Sequence, residues 1–214
     1  MDYKAILKRS AYSISFFIIS YFYVFTNRYT GREKEVVTHL DNLIPFNKYF
    51  VLVYVFWYAY VGISIAYFCI YDEKVYYKLL IALNTGMVIS YIIFFIYPTT
   101  VARPDYIPGN DLIGMLFKFI YKNDNPYNCL PSIHVLNTIT VAFYIMRDEL
   151  YMRRWIKTAY LVCAAAIIYS TLAIKQHVIL DALTSAVLAC ILYAVLNYKE
   201  VFVWLRATSR LSET

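Results

Sequence analysis

The stretch YFVLVYVFWYAYVGISIAYFCIY, residues 49–71, carries no charged side chain, and its length decides the fold class. A helix needs about 20 predominantly apolar residues to cross the hydrocarbon core of a bilayer. Five further runs share its character: 10–27, 79–97, 129–146, 158–174 and 178–198. Of the last three, only 178–198 contains a formal charge, Asp181. The composition agrees: 61% of the 214 residues are hydrophobic, 19% aromatic and only 16% charged, well above the apolar share of an ordinary soluble domain. Backbone amides in lipid must be satisfied internally, and these runs are too long for barrel strands. The predicted fold is therefore all-α, a polytopic bundle of six transmembrane helices. Without a repeat or a low-complexity linker, residues 1–214 read as one membrane-embedded domain. Run 10–27 follows Lys4, Lys8 and Arg9 as a signal peptide would, but it lacks a small-residue cleavage site and precedes more spans, so it reads as an anchor.

Orientation follows from the basic residues between the runs. The amino terminus, the 72–78 loop, the 147–157 segment and the tail, with Lys199, Arg206 and Arg210, hold twelve of the 20 Lys and Arg. Both termini are expected in the cytoplasm of a multi-pass cell-membrane protein, and the net charge of +6 becomes mainly a topology signal. Nucleic acid is not an expected partner, because the basic residues form no stripe with exposed aromatics. Cys69, Cys129, Cys163 and Cys190 show no metal-ligand or disulfide spacing, so neither a metal site nor a cofactor is expected.

Six alternating helices would bring the ends of runs 79–97 and 158–174 and the starts of runs 129–146 and 178–198 to the outer side. The sequences there are VARPDY (101–106), NCLPSIHV (128–135) and YSTLAIKQHVILDAL (169–183). Arg103, Ser132, His134, Lys175, His177 and Asp181 are thereby gathered on one face. His177 and Asp181 are four residues apart, a spacing that places them on one side of a helix. A carboxylate on one imidazole nitrogen fixes the tautomer and leaves the other nitrogen as a nucleophile or base. Asp181 would cost roughly 2.5–3.5 kcal/mol inside a span unless it faced a partner or a cavity. By itself the pair serves equally well as a structural bridge between helices. His134 changes that balance. It lies behind Pro131, a residue suited to a first helical turn, and beside Ser132 at a helix start that favours anions. Two imidazoles with cations nearby describe phosphate chemistry: one attacks, the other protonates the leaving oxygen, and the cations hold the remaining oxygens.

PSIH (131–134), followed 43 residues after its histidine by HVILD (177–181), resembles the second and third signature motifs of the phosphatidic acid phosphatase type 2 superfamily. The RP at 103–104 matches the end of that family's first motif. The wider context, LDNLIPFNKYF (40–50), YPTTVARP (97–104), NPYNCLPSIHV (125–135) and STLAIKQHVILD (170–181), is similar to the bacterial branch near the inositol phosphotransferase-like members. The motif-bearing core spans about 97–185. The resemblance implies that His177 attacks phosphorus, Asp181 orients it, His134 protonates the departing group, and Arg103 and Ser132 bind phosphate oxygens. Two family cations are absent: Ile96 stands where the first motif begins with Lys, and Ser170 and Thr171 stand where the third begins with Ser and Arg. Lys175 is the candidate replacement, with an interfacial snorkelling role of equal weight, and Ser170 remains a candidate phosphate contact.

The stretch GNDLIGMLFKFIYKNDNP (109–126) is expected to form an extra interfacial helix. It serves either as a surface anchor or as a gate for lipid. The implied activity is hydrolysis of a lipid phosphate or pyrophosphate through a phosphohistidine, at the outer face and without metal. The alternatives are a head-group phosphotransferase, similar to inositol phosphorylceramide or sphingomyelin synthases, and a noncatalytic protein that binds or transports lipid phosphates. Oligomeric state is not legible from the sequence.

Overall fold

The computed structural model describes residues 3–104, 109, 111–148 and 152–199, which are mostly helical with almost no sheet. The basic residues Arg206 and Arg210 of the tail lie outside the described residues, as do Asp105 and Tyr106 of VARPDY. The helices are α1 (Tyr3–Ser10), α2 (Ile14–Tyr21), α3 (Tyr23–Thr26), α4 (Val51–Tyr71), α5 (Glu73–Ile96), α6 (Leu112–Asn123), α7 (Ile133–Arg147), α8 (Arg154–Ala173) and α9 (Ile179–Leu196). Among the described residues, four helical stretches are long and apolar enough to cross a membrane: Lys48–Tyr71, Glu73–Ile96, Arg154–Ala173 and Ile179–Leu196. Helix α7 is apolar but shorter, at 15 residues.

The run expected at 10–27 follows α1 as a 3₁₀ turn (Ala11–Ser13), α2 and α3. The joining residues Ser10, Ser13 and Phe22 all keep right-handed helical backbone angles, so α1 to α3 form one continuous path. That path runs the length of the bundle. At one end Arg9 pairs with Glu73 at 3.0 Å and donates to the Cys69 carbonyl at 2.7 Å. At the other, Asn27 reaches Asp124, just beyond α6.

Helix starts are set by caps that an apolar pattern does not weigh. Helix α5 begins at Glu73, well before the apolar run at 79, because the Asp72 carboxylate accepts the Val75 amide at 3.0 Å, satisfying a helix-end donor. Asp111 does the same for α6 through the Gly114 amide. Helix α7 starts later than expected. Residues 129–132 are not helical, the Leu130–Pro131 bond is cis, and Ser132 caps the helix, so Pro131 stands outside the first turn.

Helix α7 is the central element, packed against α4, α5, α8 and α9. Its Leu136, Val141, Tyr144 and Ile145 are fully buried, as expected of a helix enclosed on all sides. Gly86 permits the approach of α5: a Cβ there would lie 2.9 Å from Leu136 Cδ2 and 3.2 Å from Leu192 Cδ1. The outer surface is the reverse of a soluble protein's. On α9, Leu183, Val187, Ile191 and Val195 form an exposed apolar ridge at four-residue spacing. An apolar face of this kind is suited to lipid.

One feature has no counterpart in the sequence pattern. Strand β1 (Lys34–Glu35) pairs in parallel with β2 (Thr99–Thr100), with Lys34 opposite Thr99 and Glu35 opposite Thr100. Two-residue strands carry too little periodicity to be read. Their effect is to dock the 28–48 loop beside the segment leading to Arg103. Thr99 then holds the next turn: its carbonyl accepts the Asn128 amide, and its hydroxyl oxygen accepts those of Cys129 and Leu130.

Candidate active site

Two helix starts meet at one end of the bundle. Ser132, the cap of α7, takes the Val135 amide on its hydroxyl oxygen at 3.3 Å. The Ser132 carbonyl accepts the Ser185 hydroxyl of α9 at 3.0 Å. His134 is therefore the second residue of α7, held level with the start of α9.

The approach to α9 is a tight reversal. After Ala173, the amide of Gln176 bonds the Thr171 carbonyl at 3.0 Å, and that of Lys175 bonds the Leu172 carbonyl at 3.1 Å. This is the Schellman pattern of helix termination. It places Lys175 at the left-handed position, φ 54°, where glycine is usual. The Lys175 ammonium donates to the carbonyls of Asp41 and Ile44 at 2.9 and 2.6 Å. Asp41 in turn accepts the Ile179 amide, the first of α9, at 2.7 Å and the Thr38 hydroxyl at 2.7 Å. Burial alone would raise the Asp41 carboxyl. The hydrogen bonds from Thr38 and Ile179, with the Lys175 charge, outweigh it and hold the group below its usual range.

The reversal leaves His177 just before the cap residue Val178. The His177–Asp181 contact thus does not arise from two positions on one helix face, as the four-residue spacing suggests. Asp181 is the third residue of α9, and its Oδ2 accepts the Val178 amide at 3.0 Å while meeting His177 Nδ1 at 3.1 Å. One carboxylate oxygen both caps the helix and fixes the imidazole. Asp181 is fully buried, and its Oδ1 has no hydrogen-bond partner among the described residues.

The rings of His134 and His177 lie 6.1 Å apart between centroids. His134 packs against Tyr54 and Trp57 at 4.5 and 4.4 Å, and its Nε2 is buried without a hydrogen-bond partner among the described residues. Arg103 lies over the Tyr121 ring at 4.3 Å. It donates to the Tyr121 carbonyl at 3.4 Å and, in a short contact, to Gln176 Oε1.

Two cavities meet at His177. One, of about 310 Å³, has mainly aromatic walls, among them Phe16, Tyr54, Trp57 and Tyr91, and also contains His134 and Asp124. The other, of about 260 Å³, is lined by Asp41, Asn42, Arg103 and Lys175. The fold thus brings His134, His177, Asp181, Arg103 and Lys175 to one place. Ser132 and Ser170 line neither cavity. Ser132 is occupied as a cap, and the Ser170 hydroxyl donates to the Ile167 carbonyl at 2.6 Å within α8.

Among the described residues, Cys129, His177 and Asp181 offer metal-ligating atoms within 4.8 Å of one another. Residues absent from the sequence reading also reach the site. Tyr54 and Trp57 look like ordinary membrane aromatics, and Gln176 and Asp124 sit in no motif; the only signal was the position of Gln176 beside His177.

The arrangement can hold an anion between two imidazoles, one anchored by a carboxylate, at the positive ends of two helices. A family model described as PAP2 superfamily matches residues 76–204, more than half of the chain, and this span includes Arg103, His134, His177 and Asp181. Comparison with curated proteins gives no match.

Proposed function

Because the chain belongs to the PAP2 superfamily, whose members are phosphoesterases acting on lipid-like substrates, we propose that it is an integral membrane lipid phosphatase working through a phosphohistidine. The observation that carries this reading is the 6.1 Å separation of the two imidazoles, with Asp181 on His177 Nδ1. That bond leaves His177 Nε2 to attack. In the first step a bond forms from Nε2 to phosphorus, the bond from phosphorus to the lipid oxygen breaks, and His134 gives that oxygen its proton. In the second, water attacks the phosphohistidine, passes a proton to His134, and phosphate departs. Arg103 compensates the charge that builds on the phosphoryl oxygens.

The two cavities sort the substrate. His134 stands in the aromatic one, which suits the lipid alcohol as leaving group. Arg103 and Lys175 line the polar one, which suits phosphate. Lys175 already serves two carbonyls, so it acts as a fixed charge at the rim. The polar cavity also favours a second reading, transfer to a small polar acceptor, because about 260 Å³ is well beyond what a single attacking water needs.

The membrane reading is six spans, with α1 to α3 forming the first, α7 the fourth, and α6 lying at the interface. Arg9, Lys78 and Arg147 lie at the end opposite the site, which supports a cytoplasmic location for that end. Purified protein is expected to release inorganic phosphate from lipid phosphates in the presence of EDTA, and His177→Ala is expected to abolish release. Full activity in His177→Ala would overturn the mechanism. Labelled head group appearing on an added alcohol in place of free phosphate would select the transferase.

A further inference from the structure

Asp124, the residue that ends α6, binds four side chains. Its Oδ1 accepts the Tyr23 hydroxyl at 2.7 Å and the Asn27 amide at 2.9 Å. Its Oδ2 accepts the Tyr54 hydroxyl at 3.0 Å and the Gln176 amide at 3.3 Å. Two carboxylate oxygens offer about four lone-pair sites, so this group is saturated by donors from the first helical path, from α4 and from the turn before α9. Two of the four continue into the site. Tyr54 stacks on His134 at 4.5 Å, and the Oε1 of Gln176 accepts from the Arg103 guanidinium.

We propose that Asp124 is a positioning residue for phosphoryl transfer, holding His134 through Tyr54 and Arg103 through Gln176. This rests on reading His134 as the acid and Arg103 as the phosphate ligand. The chemistry requires an acceptor at this place. Gln176 presents its carbonyl to Arg103 only while its amide nitrogen has somewhere to donate, and Asp124 Oδ2 is that place. Turning the amide over would set its NH₂ against the guanidinium, donor against donor. Similarly, the Tyr54 hydroxyl fixes how far its ring leans on the imidazole. Besides Tyr54, Trp57 from α4 and His177 from the turn before α9 face His134, and Tyr58 lines the same cavity. Of these only Tyr54 is linked to Asp124 by a hydrogen bond among the interactions described.

An amide at position 124 has the same shape, but one of its ends repels donors. Asp124→Asn sets its NH₂ either against Tyr54 and Gln176 or against Tyr23 and Asn27, so the residue loses a pair of its four donors and with it the fixed hold on the two arms, and a displacement of about 1 Å at such a site costs on the order of a hundredfold in rate. The test is steady-state kinetics of the full-length enzyme in detergent micelles, with a dialkylglycerol phosphate and with 4-nitrophenyl phosphate. The second substrate has a leaving group that needs no proton. For Asp124→Asn, kcat on the lipid phosphate is expected to fall roughly tenfold to a hundredfold, with a smaller loss on the aryl phosphate and a raised KM for both. Tyr54→Phe is expected to reproduce the kcat effect without the KM effect, and Asp124→Glu to restore part of each.

Equal losses on both substrates with KM unchanged, or kinetics like the wild type, would overturn the proposal. If Asp124→Asn does not fold, Tyr54→Phe and Asp124→Glu carry the test, and the same split is required of Tyr54→Phe. The His177→Ala control separates the two levels. If it is dead while Asp124→Asn behaves like the wild type, only the role of Asp124 falls; if it is active, the phosphohistidine reading falls.

Discussion

His177 and Asp181 show how much of a site a spacing can reveal and where it stops. Their pairing was legible because both residue types are costly inside a membrane run. The geometry that joins them was not, since Asp181 reaches back as a helix cap. Asp181→Asn leaves the packing intact but presents the imidazole with the wrong partner. A loss of about a hundredfold or more in phosphate release is expected, with the thermal unfolding midpoint lowered modestly because the same oxygen caps α9. Arg103→Lys keeps the charge but loses the planar group that both stacks on Tyr121 and bonds Gln176, so KM for lipid phosphate is expected to rise while the protein still folds. Lys175 could be read only as a cation. Its backbone role follows from the left-handed φ, which no pattern without glycine announces. Lys175→Ala keeps the strained backbone and loses the tether, whereas Lys175→Gly relieves the strain. Denaturation in detergent is expected to rank Gly above Ala by about 1 kcal/mol.

The apolar helices were readable because burial in lipid demands long uncharged runs. Their boundaries were less so, because Asp72, Asp111 and Ser132 act through single hydrogen bonds. The β1–β2 pair escaped because two residues have no period. Packing between elements is likewise invisible without coordinates, as Gly86 illustrates. Gly86→Ile drives a branched side chain into Leu136 and Leu192, and a stability loss of about 1–3 kcal/mol is expected from overpacking, read as a lower unfolding midpoint. The loop tether to α9 carries its own pH signature. With its carboxyl held below the usual carboxylate range, Asp41 contributes stability that is complete above that range and is lost as pH falls through the lowered value. The amides of Thr38 and Ile179 are thus expected to stay protected from hydrogen exchange down to about pH 4.5. Loss of their protection near pH 6 would contradict this sign.

At the scale of the whole molecule, the shortness of α7 explains where the chemistry sits. Fifteen residues rise about 22 Å, less than the roughly 30 Å of hydrocarbon. In a six-span bundle the non-helical segment before α7 must therefore enter the membrane, where irregular backbone is tolerated only when protein covers it. Asn128, Cys129, Pro131 and Ser132 are all buried, as that requires. On that six-span reading the proposed site is a recess beneath the surface, with the aromatic cavity as the proposed route for lipid and the polar one as that for water or an acceptor. The central claim is a covalent bond to one imidazole, and trapping it is the most direct test. Rapid quenching of the enzyme with a ³²P-labelled lipid phosphate is expected to yield an acid-labile, alkali-stable label on the peptide containing His177, absent from His177→Ala. Phosphate release at the wild-type rate with no label, or a label on any other residue, would contradict it.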